Sequence, residues 1–294
     1  MAYLQHELMK YVLGGRLRFA PLVDPKMILD IGTGTGQWPI ELCGVPPNVQ
    51  FVIDDADEDD WLYAHDTFDY IHTRFLLGSF GNFAEVIKKG FNYTKPGGWM
   101  ESQEIMSTVY CDDATMPPDW PFLDWTRIGD EASMRAGKPM RIANKLKRWF
   151  LEAGFVDVHE EVFKMPMNPW PKDPHYKYIG RISELNWLDG LQAFTLASFH
   201  RILGWNQKEI EAYLVPVRRA IRDRSVHAYH KAHVPLVPQT ILPDGKQVCG
   251  VGPQALPGRS RTIPGDRDDH GCDVIGYHDA DRDIDTDGGA DAVE

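Results

Sequence analysis

Residues 27–36 read MILDIGTGTG, and they give the strongest indication of the fold. An apolar run that carries one acid, Asp30, and ends in glycines spaced GxGxG is typical of a buried parallel strand entering a tight turn. Gly32 allows a sharp exit from the strand, Gly34 lets backbone amides approach a ligand, and Gly36 permits close packing where a helix begins. A dinucleotide site would read GxGxxG, so the spacing disfavours a nicotinamide oxidoreductase.

Outward from this turn, segments with strand-like and helix-like patterns alternate. Further strands are predicted at 49–55, from Phe68, from Trp99, at 155–164 and near 225–234. Helices are predicted within 4–18, ending near Gly14 and Gly15, and at 82–93, 140–153 and 176–224. This alternation predicts an α/β fold, with a mostly parallel, twisted sheet and helices on both faces. The long helical stretch predicts a cap over a ligand site.

The domain organisation predicted from these patterns has three parts. Residues 1–26 form an N-terminal helical segment, and residues 27–234 form the main domain, with its helical lid at about 175–224. Residues 235–294 are rich in Pro, Gly and Asp and have no periodicity, which predicts a disordered acidic tail.

Composition narrows the class of protein. No run approaches the roughly 18 apolar residues of a membrane span, and the first residues lack the pattern of a secretory signal, so we expect a soluble cytoplasmic protein without a membrane partner. Nuclear targeting stays open. The net charge of −12 lies largely in the tail, and its sign disfavours nucleic acid. The four cysteines show no CxxC or Cys/His spacing, which predicts free thiols and no metal site.

Several further stretches carry a resemblance that spans nearly all of residues 5–234. They include PPNVQFVIDDADEDDW, FDYIHTR, KPGGWMESQE and KLKRWFLEAGFVDVHEEVFK. Together with the glycine turn, the chain resembles the fungal class I methyltransferases similar to LaeA, the methyltransferase-like regulator of secondary metabolism. The resemblance implies a Rossmann-like class I fold that binds S-adenosylmethionine. The residues implicated in cofactor binding are Asp30, Gly32, Thr33, Gly34 and Gly36 at the turn, and Asp54, Asp55 and Ala56 after the PPNVQF strand, where Asp55 would recognise adenine.

The chain departs from this family after the glycine turn. Class I methyltransferases have an additional strand–helix unit there, and its strand ends in an acid that holds the ribose hydroxyls. Only twelve residues, 37–48, separate Gly36 from Val49, so that unit is missing. Two arrangements are possible. In the first, VQFVIDD keeps the position that it has in the family, and the ribose loses its carboxylate. In the second, this strand lies directly beside the first strand, and Asp54 or Asp55 holds the ribose hydroxyls instead.

Candidate catalytic residues follow the middle strands. His72 could act as a general base for a substrate hydroxyl, or it could simply pack in the core. Glu104 is the better candidate of the two acids, Glu101 and Glu104, that end the next strand, and Arg74 could hold a carboxylate or form a surface ion pair. The tryptophans could line an apolar pocket or belong to the core. They are Trp38, Trp99, Trp125 and Trp187.

Two functions remain from this reasoning. The first is an S-adenosylmethionine-dependent methyltransferase that acts on a small molecule in secondary metabolism. The second is a regulatory or degenerate protein that keeps the fold without turnover and has a regulatory protein partner. Fold and cofactor site do not fix the methyl acceptor.

Overall fold

The computed structural model describes residues 2–44, 49–58, 60–238 and 273–278. In this part of the chain, the seven strands are β1 (Met27–Ile31), β2 (Val49–Ile53), β3 (Phe68–Arg74), β4 (Thr94–Ile105), β5 (His159–Pro166), β6 (Tyr229–Pro238) and β7 (Asp273–His278). The α-helices are α1 (Ala2–Val12), α2 (Gln37–Cys43), α3 (Phe83–Tyr93), α4 (Pro121–Arg135), α5 (Leu146–Ala153), α6 (Pro174–Thr195) and α7 (Gln207–Arg222).

The strands form one mixed sheet in the order β2-β7-β1-β3-β4-β6-β5. The pairs from β2 to β4 are all parallel, and β6 runs antiparallel to both β4 and β5. β1 lies in the middle of the parallel part, and Ile28, Leu29 and Ile31 are buried, as expected for a strand covered on both faces. The prediction of a mostly parallel α/β sheet is confirmed.

The strand β7 comes from the segment that the sequence predicts to be disordered. It pairs in parallel with β1, from Met27 opposite Asp273, and with β2, up to Ile53 opposite His278. Burial of Val274 and Ile275 favours this placement. β7 therefore occupies the position beside β1 that the missing strand would have in the family. The second alternative, in which VQFVIDD slides beside β1, is wrong, and the first, in which it keeps its own place, is confirmed.

The domain boundary predicted before residue 235 falls inside β6. Pro235 and Pro238 do not stop pairing, because Pro235 lies opposite Glu160 of β5 and Pro238 opposite Trp99 of β4. A proline lacks only the N–H, and its carbonyl can still accept a ladder bond. The rest of the predicted disordered tail, residues 239–272 and 279–294, lies outside the described residues.

A helical layer packs at the carboxyl end of β4 and the amino end of β6. It consists of α4, α6 and α7, and its core also receives residues of α1. Asp173 caps α6 by accepting the backbone N–H groups of His175 and Tyr176, and Asn206 with Glu209 forms a capping box on α7. The predicted lid at 175–224 therefore corresponds to α6 and α7. The sequence analysis missed α4.

α1 ends at Val12, close to the predicted end near Gly14 and Gly15, whose positive φ angles break the helix. Two other predicted boundaries differ from the structure. α5 is preceded by one 3₁₀ turn and begins only at Leu146, and β5 begins at His159, after the left-handed Gly154. None of the helices in the described ranges has the length and apolar character needed to cross a bilayer.

The prediction of free thiols holds for Cys111 but is wrong for Cys43, which is disulfide-bonded. The partner of Cys43 lies outside the described residues. Cys43 belongs to no CxxC or Cys/His motif, so the spacing of the cysteines contained no sign of its disulfide bond.

Candidate functional site

The glycine turn after β1 has the backbone that its sequence predicts. Gly32, Gly34 and Gly36 have φ angles of +70°, +58° and +74°. A Cβ atom on Gly32 would lie 2.3 Å from Leu76, and one on Gly36 would lie 2.6 Å from Phe51. A Cβ on Gly34 would meet no atom within 4 Å. The outer two glycines therefore allow close packing, whereas Gly34 leaves open space beside its backbone.

The turn is completed by β7. A Cβ atom on Gly276 would lie 2.9 Å from Oγ1 of Thr33, so only a glycine lets β7 approach the turn this closely. The Thr33 hydroxyl is buried and has no hydrogen-bond partner among the described residues. A buried hydroxyl usually has a partner, so this one is an exception within the described part of the turn.

Behind the turn, Asp30 and His72 form a buried pair. They lie opposite each other on β1 and β3, and the Nδ1–H of His72 donates to Oδ1 of Asp30 over 2.7 Å. The Trp38 ring stacks on His72, with 3.8 Å between ring centroids and 4° between the planes. Nε2 of His72 is buried and without a partner in the described structure. His72 is therefore fixed by two neighbours and retains one free ring nitrogen.

Arg74 connects the site to the N-terminal helix. Its guanidinium donates to Nδ1 of His6 over 3.1 Å, and Nε2 of His6 donates to Glu41 over 2.6 Å. Burial lowers the pKa of His6. The side chain of Lys10 also binds Glu41. Arg74 thus takes part in an internal network that attaches α1 and α2 to the sheet, which differs from the surface ion pair considered above.

The two acids of β4 bind main-chain amides. Glu104 accepts the N–H groups of Leu76 and Leu77 over 2.8 and 3.2 Å. Glu101 accepts those of Phe19 and Ala20 over 2.8 and 3.0 Å. Both side chains are fully buried. Glu104 thereby positions the loop whose Leu76 packs against Gly32, and a proton-transfer role for it stays a prediction.

The acidic residues after β2 lie two strands away from β1. Asp54 accepts the backbone N–H of Asp55, which in turn accepts that of Asp57. Asp55 is exposed and Ala56 is buried. The carbonyl of Ala56 accepts the indole N–H of Trp61 and the ammonium group of Lys89. This loop lies at the carboxyl edge of the sheet, where open α/β sheets bind ligands.

The four tryptophans considered as pocket residues belong to two different cores. Trp38 and Trp99 pack around β1 and β3, whereas Trp125 and Trp187 pack under the helical layer. The structure therefore does not bring all four together. The sequence analysis missed His6, Gly276 and His230, because each is placed by long-range contacts and lies in no recognisable motif.

Comparisons with known proteins agree with this geometry. Residues 4–160 match the family model described as a methyltransferase domain. The methyltransferase pytC of Aspergillus terreus is 36% identical over 245 residues, covering 76% of this chain and 75% of its own. The secondary metabolism regulator LAE1 of Cochliobolus heterostrophus is 33% identical, covering 79% and 83%. The probable methyltransferase tdiE of Emericella nidulans is 30% identical, covering 79% and 78%. The resemblance drawn from the sequence is confirmed.

Proposed function

The chain belongs to the methyltransferase-domain family, and from this premise we propose that it transfers a methyl group to a small molecule of secondary metabolism. As a member of this family it uses S-adenosylmethionine, which supplies a sulfonium methyl group when bound. The observation that carries the proposal is the glycine turn, whose positive φ angles leave open space beside the backbone of Gly34.

The residues present fit this cofactor. The amides of Gly32, Thr33 and Gly34 would hold its polar end, because no side chain covers Gly34, whereas the amide of Gly36 donates to the Thr33 carbonyl and would support the turn. Asp30 would act behind the turn, with its carboxylate oriented by His72. Asp54, Asp55 and Ala56, at the carboxyl end of β2, would hold the adenosine. These assignments are supported by the shared sheet edge and by the resemblance to the family.

His72 could take the role of general base only if the acceptor reaches its Nε2 atom. The ring is fully buried, with Trp38 on one face and Asp30 at Nδ1. This environment favours a positioning role, in which His72 orients Asp30. Methyl transfer is an in-line displacement, so positioning and exclusion of water contribute much of the rate and a base is optional.

The binding of S-adenosylhomocysteine, the demethylated product, tests the cofactor site by calorimetry. Gly34→Ala places a methyl group in the open space, and Gly97→Ala is its matched control. Gly97 also has a positive φ, +83°, and a Cβ there would meet nothing within 4 Å, but it lies at the start of β4, on the opposite edge of the sheet. Both variants carry about 1–2 kcal/mol of backbone strain. We expect only Gly34→Ala to weaken binding, by about tenfold or more. Equal affinities in the two variants would refute the site.

A regulatory function is the second candidate, since the relative LAE1 is named a regulator. A protein of this kind would bind the cofactor without transferring its methyl group and would act through a protein partner. Transfer of a labelled methyl group to extracted fungal metabolites separates the two candidates. Label in a small molecule supports the enzyme, whereas tight cofactor binding without transfer to any extract supports the regulator.

A further inference from the structure

Under the helical layer lies a group of aromatic rings, here called the lid cluster: Trp120, Phe122, Trp187 and His230. The ring centroids of Trp187 and His230 are 5.0 Å apart in a stacked arrangement. Phe122 meets Trp187 edge-on at 5.2 Å and lies 5.6 Å from Trp120. All four side chains are at least nine-tenths buried, and their ring faces are apolar surfaces of the kind that contact planar molecules.

Buried polar atoms of the lid cluster lack hydrogen-bond partners in the described part of the chain. They are the indole N–H groups of Trp120 and Trp187 and Nε2 of His230. Ser183 and Asn186 each add an unpartnered oxygen, on the face of α6 that carries Trp187. By contrast, the neighbouring Trp125 N–H donates to Thr195 over 2.9 Å. Since one unpaired buried group costs about 1–3 kcal/mol, this concentration indicates a polar ligand.

His230 has a defined tautomer. Its Nδ1 lies 2.9 Å from the carbonyl oxygen of Met106 and 3.1 Å from that of Thr108. Carbonyl oxygens only accept, so Nδ1 carries the hydrogen. Burial lowers the pKa of His230 to about 4, so the ring is neutral near pH 7. Nε2 therefore presents a lone pair among the aromatic rings.

The lid cluster lies at the same edge of the sheet as the glycine turn. Met106 and Thr108 directly follow β4, whose carboxyl end shares an edge with the glycine turn after β1. Thr108 also lines a cleft of about 550 Å³, together with Pro121, Leu123 and Tyr213. Pro121 and Leu123 alternate along the chain with Trp120 and Phe122. The start of α4 and the residue before it thus contribute side chains to both the cleft and the lid cluster.

We propose that the lid cluster binds the methyl acceptor, a planar aromatic molecule with a hydroxyl group, and that Nε2 of His230 accepts the hydroxyl proton. This inference rests on the proposed methyltransferase function. The acceptor oxygen forms its new bond to the donor's methyl carbon, the carbon–sulfur bond breaks, and its electron pair stays on sulfur. His230 then releases the proton to solvent. Trp120 and Trp187 donate to further oxygens of the acceptor.

Phenol is the probe, and toluene, which has the same shape without the hydroxyl, is its control. Each is titrated into the full-length protein carrying ¹⁵N-labelled histidine and saturated with S-adenosylhomocysteine. We expect phenol to bind about three- to tenfold tighter than toluene, from one net hydrogen bond. We also expect only phenol to shift the Nε2 resonance of His230.

The matched variants are His230→Asn and His200→Asn. An asparagine amide at 230 can still donate to the carbonyls of Met106 and Thr108 but has no atom in place of Nε2. His200 is an exposed lid histidine whose Nδ1 also binds a carbonyl, that of Trp205. We expect His230→Asn to abolish the preference for phenol while the affinity for S-adenosylhomocysteine is retained, and His200→Asn to change neither.

The outcomes separate the two proposals. If S-adenosylhomocysteine binds but phenol shifts no His230 resonance, or is preferred equally by His230→Asn, the acceptor site is refuted and the methyltransferase function stands. If S-adenosylhomocysteine does not bind, the proposed function fails. The wild-type resonance shift alone decides the question if His230→Asn does not fold.

Discussion

Ile275→Ala tests the most unexpected element of the structure, the strand β7. Ile275 is 5% exposed between β1 and β2, and it packs in the core that contains Leu29, Ile31 and Ile71. Truncation of a buried isoleucine to alanine costs about 2–5 kcal/mol, from lost burial and from the cavity that remains. Because the whole domain is stabilised by roughly 5–15 kcal/mol, this one change removes a large fraction of the total.

The matched control is Ile53→Ala, on the neighbouring strand β2. Ile53 is 71% exposed, so the same chemical change there should cost less than about 0.5 kcal/mol. Urea unfolding of both variants, followed by tryptophan fluorescence, gives the two free energies of unfolding. If Ile275→Ala is as stable as Ile53→Ala, β7 does not occupy the sheet, and the reasoning about the completed glycine turn fails with it.

Three further outcomes follow from the buried polar groups. His72→Phe keeps an aromatic ring on Trp38 but leaves Asp30, which is 3% exposed, without its partner. We expect urea unfolding to show that the free energy of unfolding falls by about 2 kcal/mol. An unchanged stability would mean that the pair is not formed. The lowered pKa of His230, about 4 against an ordinary 6.5, means that the unfolded chain binds more protons between these values. Stability should therefore fall as pH decreases from 6.5 towards 4, by about 3 kcal/mol from this group, and His230→Asn should flatten the profile. If the stability of His230→Asn depends on pH as steeply as that of the wild type, this prediction is wrong. Glu104→Gln replaces one acceptor oxygen by an N–H₂ group opposite a backbone N–H. Thermal unfolding should therefore show that the free energy of unfolding falls by about 1–3 kcal/mol. If stability is unchanged while methyl transfer disappears, Glu104 is a general base after all.

The sequence predicted the parallel core well because its signals are local. The run MILDIGTGTG contains both the buried strand and the glycines that its turn requires, and β3, α3 and β4 follow with clear periodicity. Asp30 and His72 could each be selected as site residues for the same reason. Their contact could not be predicted, since it depends on the register between β1 and β3.

β7 could not be located from the sequence alone. Its six residues are flanked by segments with tail-like composition, and its partners β1 and β2 lie near the other end of the chain. Only its pairing with β1 on one side and β2 on the other identifies it as a strand. His230 was missed for a similar reason, because its tautomer is set by carbonyls that follow β4 and its aromatic neighbours come from α4 and α6.

The position of β7 also bears on how the protein folds as it is synthesised. β1 and β2 emerge from the ribosome close together, whereas β7, the strand that joins them, is translated more than 200 residues later. Until then each exposes an unpaired backbone edge that could pair with another nascent chain. Contacts between such distant segments form slowly, since a very long loop must close first. Correct assembly therefore requires that these two edges stay unpaired with other chains until β7 has been synthesised.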